Sequence, residues 1–516
     1  QGSGALPAYT EQAVYDSFVA AGLPIKSAAA AKFPLSLWKM PHNNFAPRLG
    51  FAYQIDDKTV LRGGWGIYQW VMPLVQYQQQ ARKNPPFSYS VNYGVGQING
   101  LSTNGAAAQL EFPNASADFG GPQPLSQFQL GSPTLVLDTS NVHIQQGGGF
   151  GIAPMVTDYK PQTVQEYNLT FARELPWFLG FQLSYIGNHA TNLPQEDPIN
   201  YVIPRELCVE AQSPNVAKCQ AGTAKFRRAY PVFSTSASTA MSMYRYNGYS
   251  NTNSLQAQVT RTFGGGLTLQ SYFTWARTLT TTEGRALSNV GTSALMPPAA
   301  LTPGYVLSDP FSGASYSQRQ RIMYAPDSFL ATKTFSFNAH YEFPFGRGKR
   351  YLGNAHGFTN ALVSGYNISP FFLWHSGVTF APYFTALASS TLLAPGKTGI
   401  LPGGQRTRKR WFDASIARED QGHPYNGETF IRRAHTLDND FRNNIPRNYM
   451  TGPGFNELDA TIYKLTPIAK GSVLDIEAQI FNVYNHQNLA LPNNNGIISG
   501  TVGLPRLIQL QAKFIF

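Results

Sequence analysis

The chain has 516 residues and a formal net charge of +11, and aromatic and charged residues make up 13% each. Charged residues are therefore about half as frequent as in an average soluble domain. No stretch of about 18 uninterrupted apolar residues is present, which argues against a helical membrane protein. The length is compatible with several soluble domains or with one large barrel.

Residues 1–14, QGSGALPAYTEQAV, do not resemble a secretion signal, in which a basic segment precedes an apolar one. We expect residues 1–44 to form an extracellular loop that leads into the first strand. The first strand pair is predicted at residues 48–54 and 59–70, on either side of Asp56 and Asp57. The two aspartates indicate the turn of a β-hairpin.

Two more hairpins are predicted further along the chain. The first pairs residues 165–173 with residues 179–189 and turns at residues 175–177. The second pairs residues 254–263 with residues 267–277 across three consecutive glycines, which tolerate the positive φ of a tight turn. One face of this second hairpin is apolar and carries Leu255, Ala257, Val259, Leu267, Leu269, Phe273 and Trp275.

The long segment between these two hairpins has two notable features. Cys208 and Cys219 lie close together in a polar stretch. In an oxidising periplasmic or surface environment they would close a small loop through a disulfide, and otherwise they are free thiols. Tyr244, Arg245 and Tyr246 form an aromatic and basic stretch just before the next strand. This stretch is either an interfacial aromatic girdle or a platform for a ligand.

Two further strands are predicted at residues 334–343 and 366–380, the first of which alternates aromatic or apolar residues with polar ones. His340 falls on the polar side of its strand, and we interpret it as a hydrogen-bonded residue that lines a polar interior. The nine histidines of the chain are scattered, without the paired spacing that a metal site needs. No metal or cofactor is therefore expected.

The densest positive charge occurs in residues 382–454, which are predicted to form a long extracellular loop. The candidate ligand-binding residues of this loop are Arg406, Arg408, Arg410, Trp411, Arg432 and Arg433. Guanidinium groups bind phosphates and carboxylates through charge-assisted hydrogen bonds. The loop would therefore contact lipopolysaccharide phosphates or attract an acidic ligand, unless it is simply a solvated basic loop. Nucleic acid is not expected as a partner.

The last strands show the clearest alternation. Residues 457–465 and 473–483 are predicted to pair, and residues 506–516 form the final strand. One face of the final strand carries Ile508, Leu510, Ala512, Phe514 and Phe516, and the other carries Leu507, Gln509, Gln511, Lys513 and Ile515. This arrangement suits lipid outside and water or a polar plug inside, although an ordinary half-buried strand would look similar. Leu510, Phe514 and the terminal Phe516 also resemble the signal read by the bacterial barrel-assembly machinery.

These segments add up to about eleven strands of the length that a tilted membrane strand needs. If the C-terminus is periplasmic, every short connection falls on the periplasmic side. The long connections, at roughly 71–160, 190–250, 279–331, 382–454 and 485–503, then all fall outside. Bacterial barrels show this partition, whereas a soluble sandwich has no reason to segregate its loops by length. The sequence therefore predicts an all-β fold, an antiparallel transmembrane β-barrel with long extracellular loops.

The odd number of strands has a further implication. Single-chain bacterial barrels have an even number of strands, and an open sheet in lipid would carry unsatisfied backbone groups along both edges. We therefore expect that half of the barrel wall is missing from this chain and comes from upstream residues or from another polypeptide.

Several blocks of the sequence resemble the TonB-dependent outer-membrane receptors, and within them the Oar-like group. The matching blocks are FAPRLGFAYQIDDKTVLRGGWGIY, VQEYNLTFARELPWFLGFQLSYIGNHATNLP, LQAQVTRTFGGGLTLQSYFTWARTL, NAHYEFPFGRGKRYLG and IEAQIFNVYNHQNLALPN. The resemblance implies a barrel of 22 strands around an N-terminal plug, with a short box that engages TonB. Residues 1–516 would then be the C-terminal part of such a barrel, since a plug and a TonB box are not recognisable in them.

The function that this resemblance implies is binding of a ligand at extracellular loops and its import through the barrel lumen. The expected partners are outer-membrane lipid and lipopolysaccharide, the barrel-assembly machinery, the missing half of the barrel, and TonB through an upstream segment. No catalytic constellation stands out, so we do not expect an enzyme. One alternative is an outer-membrane structural or adhesion protein whose barrel anchors large surface loops. Another is a soluble β-sandwich that binds glycans, with its apolar faces buried against a second sheet.

Overall fold

The fold is almost entirely β-structure. The computed structural model describes residues 29–32, 34, 39, 41–42, 44–70, 93–94, 97–98, 101–102, 159–198, 242–282, 324–382, 391–418, 425–432, 447–469 and 471–516. Cys208, Cys219, Arg433 and most of residues 1–44 lie outside this description, and so do the predictions made for them.

The main sheet contains a continuous path of eleven strands in which each strand pairs with the next one along the chain. The strands are β1 (Arg48–Asp56), β2 (Thr59–Trp70), β3 (Gln162–Leu175), β4 (Leu179–Pro198), β5 (Ser242–Gly264), β6 (Leu267–Thr280), β7 (Lys333–Glu342), β8 (Tyr366–His375), β9 (Phe455–Ala469), β10 (Ser472–Phe481) and β11 (Leu507–Ile515). All pairings along this path are antiparallel. The eleven predicted strands and the predicted pairings are confirmed, except that the strand predicted at residues 366–380 ends at His375, and Thr379–Phe380 pairs with Met450–Thr451 outside the main sheet.

The remaining elements of the described residues are short. The helices are α1 (Gly357–Val363) and the 3-10 turn Gly403–Gln405. The short strands are Tyr93–Gly94, Gln97–Ile98, Leu101–Ser102, Ala325–Pro326, Thr379–Phe380, Thr391–Leu393, Ile416–Arg418, Phe430–Arg432, Met450–Thr451, Asn488–Leu489 and Thr501–Val502. Among them, Ala325–Pro326 joins the main sheet by pairing with the end of β6.

The register of the sheet keeps apolar residues on one face across all eleven strands. Directly opposed residues of an antiparallel pair point to the same side. Ala478 of β10 lies opposite Ile462 on one side and Leu510 on the other, whereas Glu477 lies opposite Tyr463 and Gln511. We call the first side the apolar face and the second side the polar face. Representative residues of the apolar face are Leu49, Trp65, Leu169, Leu183, Leu255, Leu269, Phe337, Phe372, Ile462, Ala478 and Leu510.

The apolar face is exposed rather than packed against other protein in the described structure. Leu510 is 78% exposed, Trp275 is 52% exposed and Leu169 is 47% exposed. An apolar surface that extends over a whole sheet marks a site that contacts another apolar phase, because soluble monomers rarely expose such large patches. The described residues therefore do not form the sandwich of the soluble alternative, in which this face would be buried.

The connections separate by length between the two ends of the sheet. At one end, the short-connection end, residues 57–58, 176–178 and 265–266 form tight turns, and only two residues separate the end of β9 from the start of β10. The strand ends that flank the five predicted long connections all lie at the opposite end, the long-connection end, as predicted. Gly265 and Gly266 have φ of 65° and 82°, which explains the run of glycines at that turn. One expectation needs refinement, because residues 343–365 at the short-connection end are not a tight turn and contain α1.

Candidate functional site

The long-connection end contains the best-packed region of the described structure. Within the connection between β8 and β9, Phe412 and Met450 are 2% exposed and Phe430 is fully buried. Phe380 completes this core, and Leu393, Trp411, Ala414, Ile416 and Tyr449 pack against it. We call the described parts of residues 376–454 the connection module. A module with its own core can hold side chains in fixed positions above the sheet.

Short strands and hydrogen bonds join distant parts of the connection module. Strand Phe430–Arg432 lies between Thr391–Leu393 and Ile416–Arg418, and Thr379–Phe380 pairs with Met450–Thr451. The Tyr449 hydroxyl donates a hydrogen bond to the carbonyl oxygen of Thr398 at 2.9 Å. Burial of Tyr449 raises the pKa of this hydroxyl.

Asp413 organises the centre of the module. Its carboxylate accepts hydrogen bonds from the hydroxyl of Thr429 at 2.8 Å and from the backbone N–H of Ser415 at 3.3 Å. Partial burial of the carboxyl opposes its ionisation, but these hydrogen bonds and the nearby charge of Arg410 outweigh that effect. The pKa of Asp413 therefore lies below its usual value.

Two arginines of the predicted basic cluster, Arg406 and Arg408, donate hydrogen bonds to backbone carbonyl oxygens of the protein itself. Arg408 donates from Nε to the carbonyl oxygen of Ile498 at 3.1 Å and from Nη2 to that of Ser499 at 3.2 Å. It therefore ties the connection module to the connection between β10 and β11. Arg406 donates to the carbonyl oxygen of Leu401 at 2.8 Å and lies 5.7 Å from the ring centre of Trp411.

Arg410 and Trp411 lie next to this contact. Trp411 donates from Nε1 to the carbonyl oxygen of Thr451 at 2.9 Å. Nη2 of Arg410 lies 3.7 Å from Oδ1 of Asp413, and the side chain of Arg410 is 63% exposed. Among the arginines of the predicted cluster whose side chains are described, Arg410 is therefore the best placed to meet a ligand. Strand Phe430–Arg432 includes Arg432, but its side chain and all of Arg433 lie outside the description.

The second predicted group, Tyr244 to Tyr246, lies in the part of β5 that extends beyond the predicted strand. Tyr246 is 7% exposed and packs edge to face on Tyr159, with ring centres 5.0 Å apart. Tyr246 therefore contributes to packing above the sheet. Arg245 is half-buried, and the side chain of Tyr244 lies outside the description.

Sequence reasoning missed a polar cluster beside this group. The amide of Asn251 donates to the Tyr324 hydroxyl at 2.7 Å, and Tyr249 and Tyr324 have ring centres 5.1 Å apart. Gln195 is completely buried and donates to the carbonyl oxygen of Thr281 at 3.2 Å. The only signal in the sequence was the density of tyrosine and threonine, which does not reveal contacts between distant segments.

The polar face forms a hydrogen-bonded surface on the other side of the sheet. His340 Nδ1 lies 3.1 Å from the Ser369 hydroxyl, and its ring stacks on Tyr463 with ring centres 6.0 Å apart. Glu477 accepts a hydrogen bond from Gln479 at 2.6 Å. These contacts confirm His340 as a hydrogen-bonded residue of the polar side. Among the described residues, no group of three or more potential metal ligands comes together.

The predicted assembly residues lie at the free edge of the sheet. Leu510 and Phe514 lie on the apolar face of β11, and Phe516 follows this strand with 95% exposure. The rings of Phe514 and Phe516 lie 6.0 Å apart. Recognition of these residues by the assembly machinery stays a prediction.

Comparison with known proteins identifies the family. The family model described as outer membrane beta barrel domain matches residues 7–509. A search among curated proteins gave no match. Within the described residues, no helix is long and apolar enough to span a bilayer.

Similar solved structures cover this chain almost completely. They include the outer membrane transporter YddB from Escherichia coli, with 11% identity, a TM-score of 0.38, and coverage of 92% of this chain and 40% of that chain. They also include the ferric citrate transporter FecA in its unliganded form, with 8% identity, a TM-score of 0.36, and coverage of 91% and 38%. The pyoverdine outer membrane receptor FpvA from Pseudomonas aeruginosa PAO1 has 8% identity, a TM-score of 0.35, and coverage of 91% and 36%. The chain thus spans less than half the length of these proteins. Because the family model matches nearly the whole chain, the protein belongs to the outer membrane beta-barrel domain family and is located in the bacterial outer membrane.

Proposed function

We propose that this chain is the C-terminal part of a TonB-dependent receptor barrel, of the Oar-like group, that binds a ligand at its extracellular loops and imports it. The observation that carries this proposal is the combination of a sheet with an exposed apolar face and a connection module with its own core at the long-connection end. Such a module can bind a ligand above a polar-lined interior. The short-connection end would face the periplasm, where an N-terminal plug region would engage TonB.

The direction of the edge strands supports a larger barrel. In the described structure, β1 and β11 are the ends of the eleven-strand path, and they run in the same direction because the path is antiparallel and has an odd number of strands. Direct pairing of β1 with β11, within one chain or between two copies, would create a parallel seam. Bacterial barrels are antiparallel throughout. Closure therefore needs an odd number of additional strands, and eleven would complete the 22 that the receptor family implies.

Arg410 is the residue that we propose contacts the ligand or lipopolysaccharide phosphate. Its guanidinium is exposed, and the next residue, Trp411, carries an aromatic ring that lies beside the guanidinium of Arg406. Arg432, Arg433, Tyr244 and Arg245 remain further candidates, and a disulfide between Cys208 and Cys219 would stabilise the neighbouring loop. An anionic ligand fits this set best, because the group is rich in guanidinium groups.

An uptake experiment tests the transport proposal. Wild-type cells and cells with an in-frame deletion of the gene are grown in the same complex medium, and the compounds that disappear from the medium are measured by mass spectrometry. We expect at least one anionic compound to be depleted by the wild type alone, with depletion abolished by a protonophore or by loss of TonB. Uptake that is equal in the two strains for all compounds would contradict the proposal.

Substitution at Arg410 connects uptake to the site. We expect Arg410→Ala to reduce depletion of that compound about tenfold, which corresponds to the loss of roughly 1.4 kcal/mol of binding. Lys409→Ala is the matched control, since it removes the same charge from the adjacent residue. If both variants reduce depletion equally, the loop acts through its overall charge and not through a contact of Arg410.

Surface adhesion is the second candidate function. The hairpin of β4 and β5 favours it, because these strands have 20 and 23 residues and extend far beyond the length needed to cross a membrane. A rigid projection of this kind suits contact with another cell. Loss of cell attachment in the deletion strain, with unchanged uptake, would support adhesion over transport.

A further inference from the structure

The connection between β7 and β8 exposes an unusual number of apolar side chains at the short-connection end. Phe358 is 83% exposed, Leu352 is 57% exposed, Leu362 is 56% exposed and Tyr351 is 48% exposed. We call residues 343–365 the platform. Phe358 and Leu362 are four residues apart in α1, so they lie on the same side of the helix. No core forms beneath them, since α1 contains no buried residue.

A line of aromatic rings connects the platform to the apolar face of the sheet. Tyr341 lies on the apolar face of β7, because it is opposed to Leu267 and Ile368. Its ring centre lies 5.3 Å from that of Phe343, which lies 6.4 Å from that of Phe345. Phe345 in turn lies 5.7 Å from Tyr351. The lipid-facing surface of the barrel therefore continues without interruption onto the platform.

Lys464 fixes α1 on the lipid-facing side of the sheet. Lys464 belongs to the apolar face, because it is opposed to Tyr366 and Ile476. Its Nζ donates to the carbonyl oxygens of Leu362 and Ser364, both at 2.9 Å, and lies 4.0 Å from the ring centre of Tyr366. A lysine on a lipid-facing strand normally directs its ammonium group to the membrane surface. Its partners at the end of α1 therefore lie at the level of the lipid headgroups.

The charge of the platform complements lipid phosphates. The platform carries Arg347, Lys349 and Arg350 and contains no acidic residue. Lys349 is paired with Glu342 of β7 at 2.6 Å, and the Arg350 guanidinium lies 5.4 Å from the ring centre of Tyr351. Exposed aromatic rings beside cations are typical of segments that lie in the interface of an anionic bilayer.

An apolar groove adjoins the platform on the same face. The groove has a volume of about 570 Å³, and Ala478 and Ala512 lie among the larger side chains of Ile462, Ile476 and Leu510. Lys464 lines this groove as well as contacting α1. An acyl chain in the groove would therefore place its headgroup beside the platform.

We infer that the platform is a membrane-interface anchor that binds anionic phospholipid at the short-connection end. Phe358 and Leu362 enter the upper acyl-chain region, while Arg347 and Arg350 contact lipid phosphates. The anchor fixes the depth and tilt of β7, β8 and β9 in the bilayer. This inference depends on the outer-membrane location and not on the proposed transport, so either can fail without the other.

Spin-label depth measurements test the position of the platform. Single cysteines replace Phe358, Leu510 or Thr407 in the natural full-length protein, after Cys208 and Cys219 have been changed to serine. Each label is examined in vesicles of phosphatidylcholine and phosphatidylglycerol for accessibility to oxygen and to a water-soluble nickel complex. We expect the label at position 358 to favour oxygen, as the membrane reference at 510 does. A label at 358 that behaves like the aqueous reference at 407 would overturn the inference.

Lipid retention tests the choice of headgroup. The protein is purified in mild detergent from vesicles that contain both lipids, and the retained lipids are quantified by mass spectrometry. We expect the wild type to be enriched in phosphatidylglycerol and the double variant Arg347→Gln and Arg350→Gln to lose at least half of this enrichment. Lys397→Gln and Lys409→Gln, at two exposed lysines of the connection module, form the matched control at the opposite end. Equal enrichment in the wild type and the platform variant would exclude the proposed phosphate contacts.

Discussion

Arg408 and Arg410 have nearly the same sequence environment but different structural roles. Arg408 bridges two connections through the carbonyl oxygens of Ile498 and Ser499, whereas Arg410 is largely open. We expect Arg408→Ala to weaken this junction by about 1 kcal/mol, the scale of a partly exposed hydrogen bond. Hydrogen exchange of the amide of Ile498, which donates to the Arg408 carbonyl at 2.8 Å, should become about five times faster. Arg410→Ala should leave that exchange unchanged, and equal acceleration in both variants would contradict this division of roles.

The lowered pKa of Asp413 makes the stability of the connection module depend on pH. Because the folded-state pKa lies below the ordinary value of about 3.9, the ionised carboxylate stabilises the module above that pH. This stabilisation is lost as the pH falls from about 3.9 through the lower folded-state pKa. Near-ultraviolet circular dichroism during acid titration should show the module loosening in this range. Asp413→Asn should be less stable than the wild type above that pH and similar to it at the acid end, and an unchanged titration would refute the assignment.

Residue types alone predicted where the basic clusters are but not what they do. Arg406, Arg408 and Arg410 form one motif in the sequence, and only the path of the chain shows which guanidinium meets a carbonyl oxygen of a distant segment. His340 was interpretable in advance, because its position in an alternating strand determines its face. Side chains in strands are therefore predictable from periodicity, whereas side chains in long connections are not.

At the level of elements, the connection module should unfold independently of the sheet. Phe430 is fully buried among Phe412, Phe380 and Met450, so Phe430→Ala leaves a cavity and should destabilise the module by about 3–5 kcal/mol. Trypsin should then cut at Arg406 to Arg410 in folded, membrane-inserted protein. Phe329→Ala, at a residue that is 59% exposed, is the control and should leave these sites protected. Loss of membrane insertion in the Phe430 variant would show that the module and sheet fold as one unit.

The hairpins were predicted because apolar alternation and turn residues agree within each of them. The predicted strand at residues 254–263 begins twelve positions too late, since β5 starts at Ser242. Residues 242–253 are rich in Tyr, Ser and Asn and lack apolar alternation, because this part of the hairpin extends past the apolar face. Residues 242–253 still pair with β4, but this pairing is made by backbone hydrogen bonds, which require no periodic pattern of side chains in the sequence. The module core was missed for a related reason, since it joins short strands far apart in the chain.

At the level of the whole molecule, identifying the strand that pairs with the edge of β11 would show how the barrel closes. A cysteine in place of Gln511 would lie on the polar face of this edge strand. In the natural full-length protein we expect a bifunctional thiol cross-linker to join it to a cysteine placed in an upstream strand of the same polypeptide. The product should keep the mass of a monomer. A dimer as the main product would show that a second copy completes the wall, which would contradict the argument from strand direction.

The continuous register of the sheet restricts insertions and deletions within its strands. Inserting or deleting one residue within a strand of the main sheet would move every following side chain of that strand to the opposite face of the sheet. A one-residue insertion early in β10, for example, would place Glu477 on the apolar face, opposite Ile462 and Leu510 of the unchanged neighbouring strands, and Ala478 on the polar face. Length changes in the long connections, outside the core of the connection module, do not exchange the two faces of the sheet. Evolution can therefore change the length of these connections, while each strand of the sheet keeps a fixed number of residues.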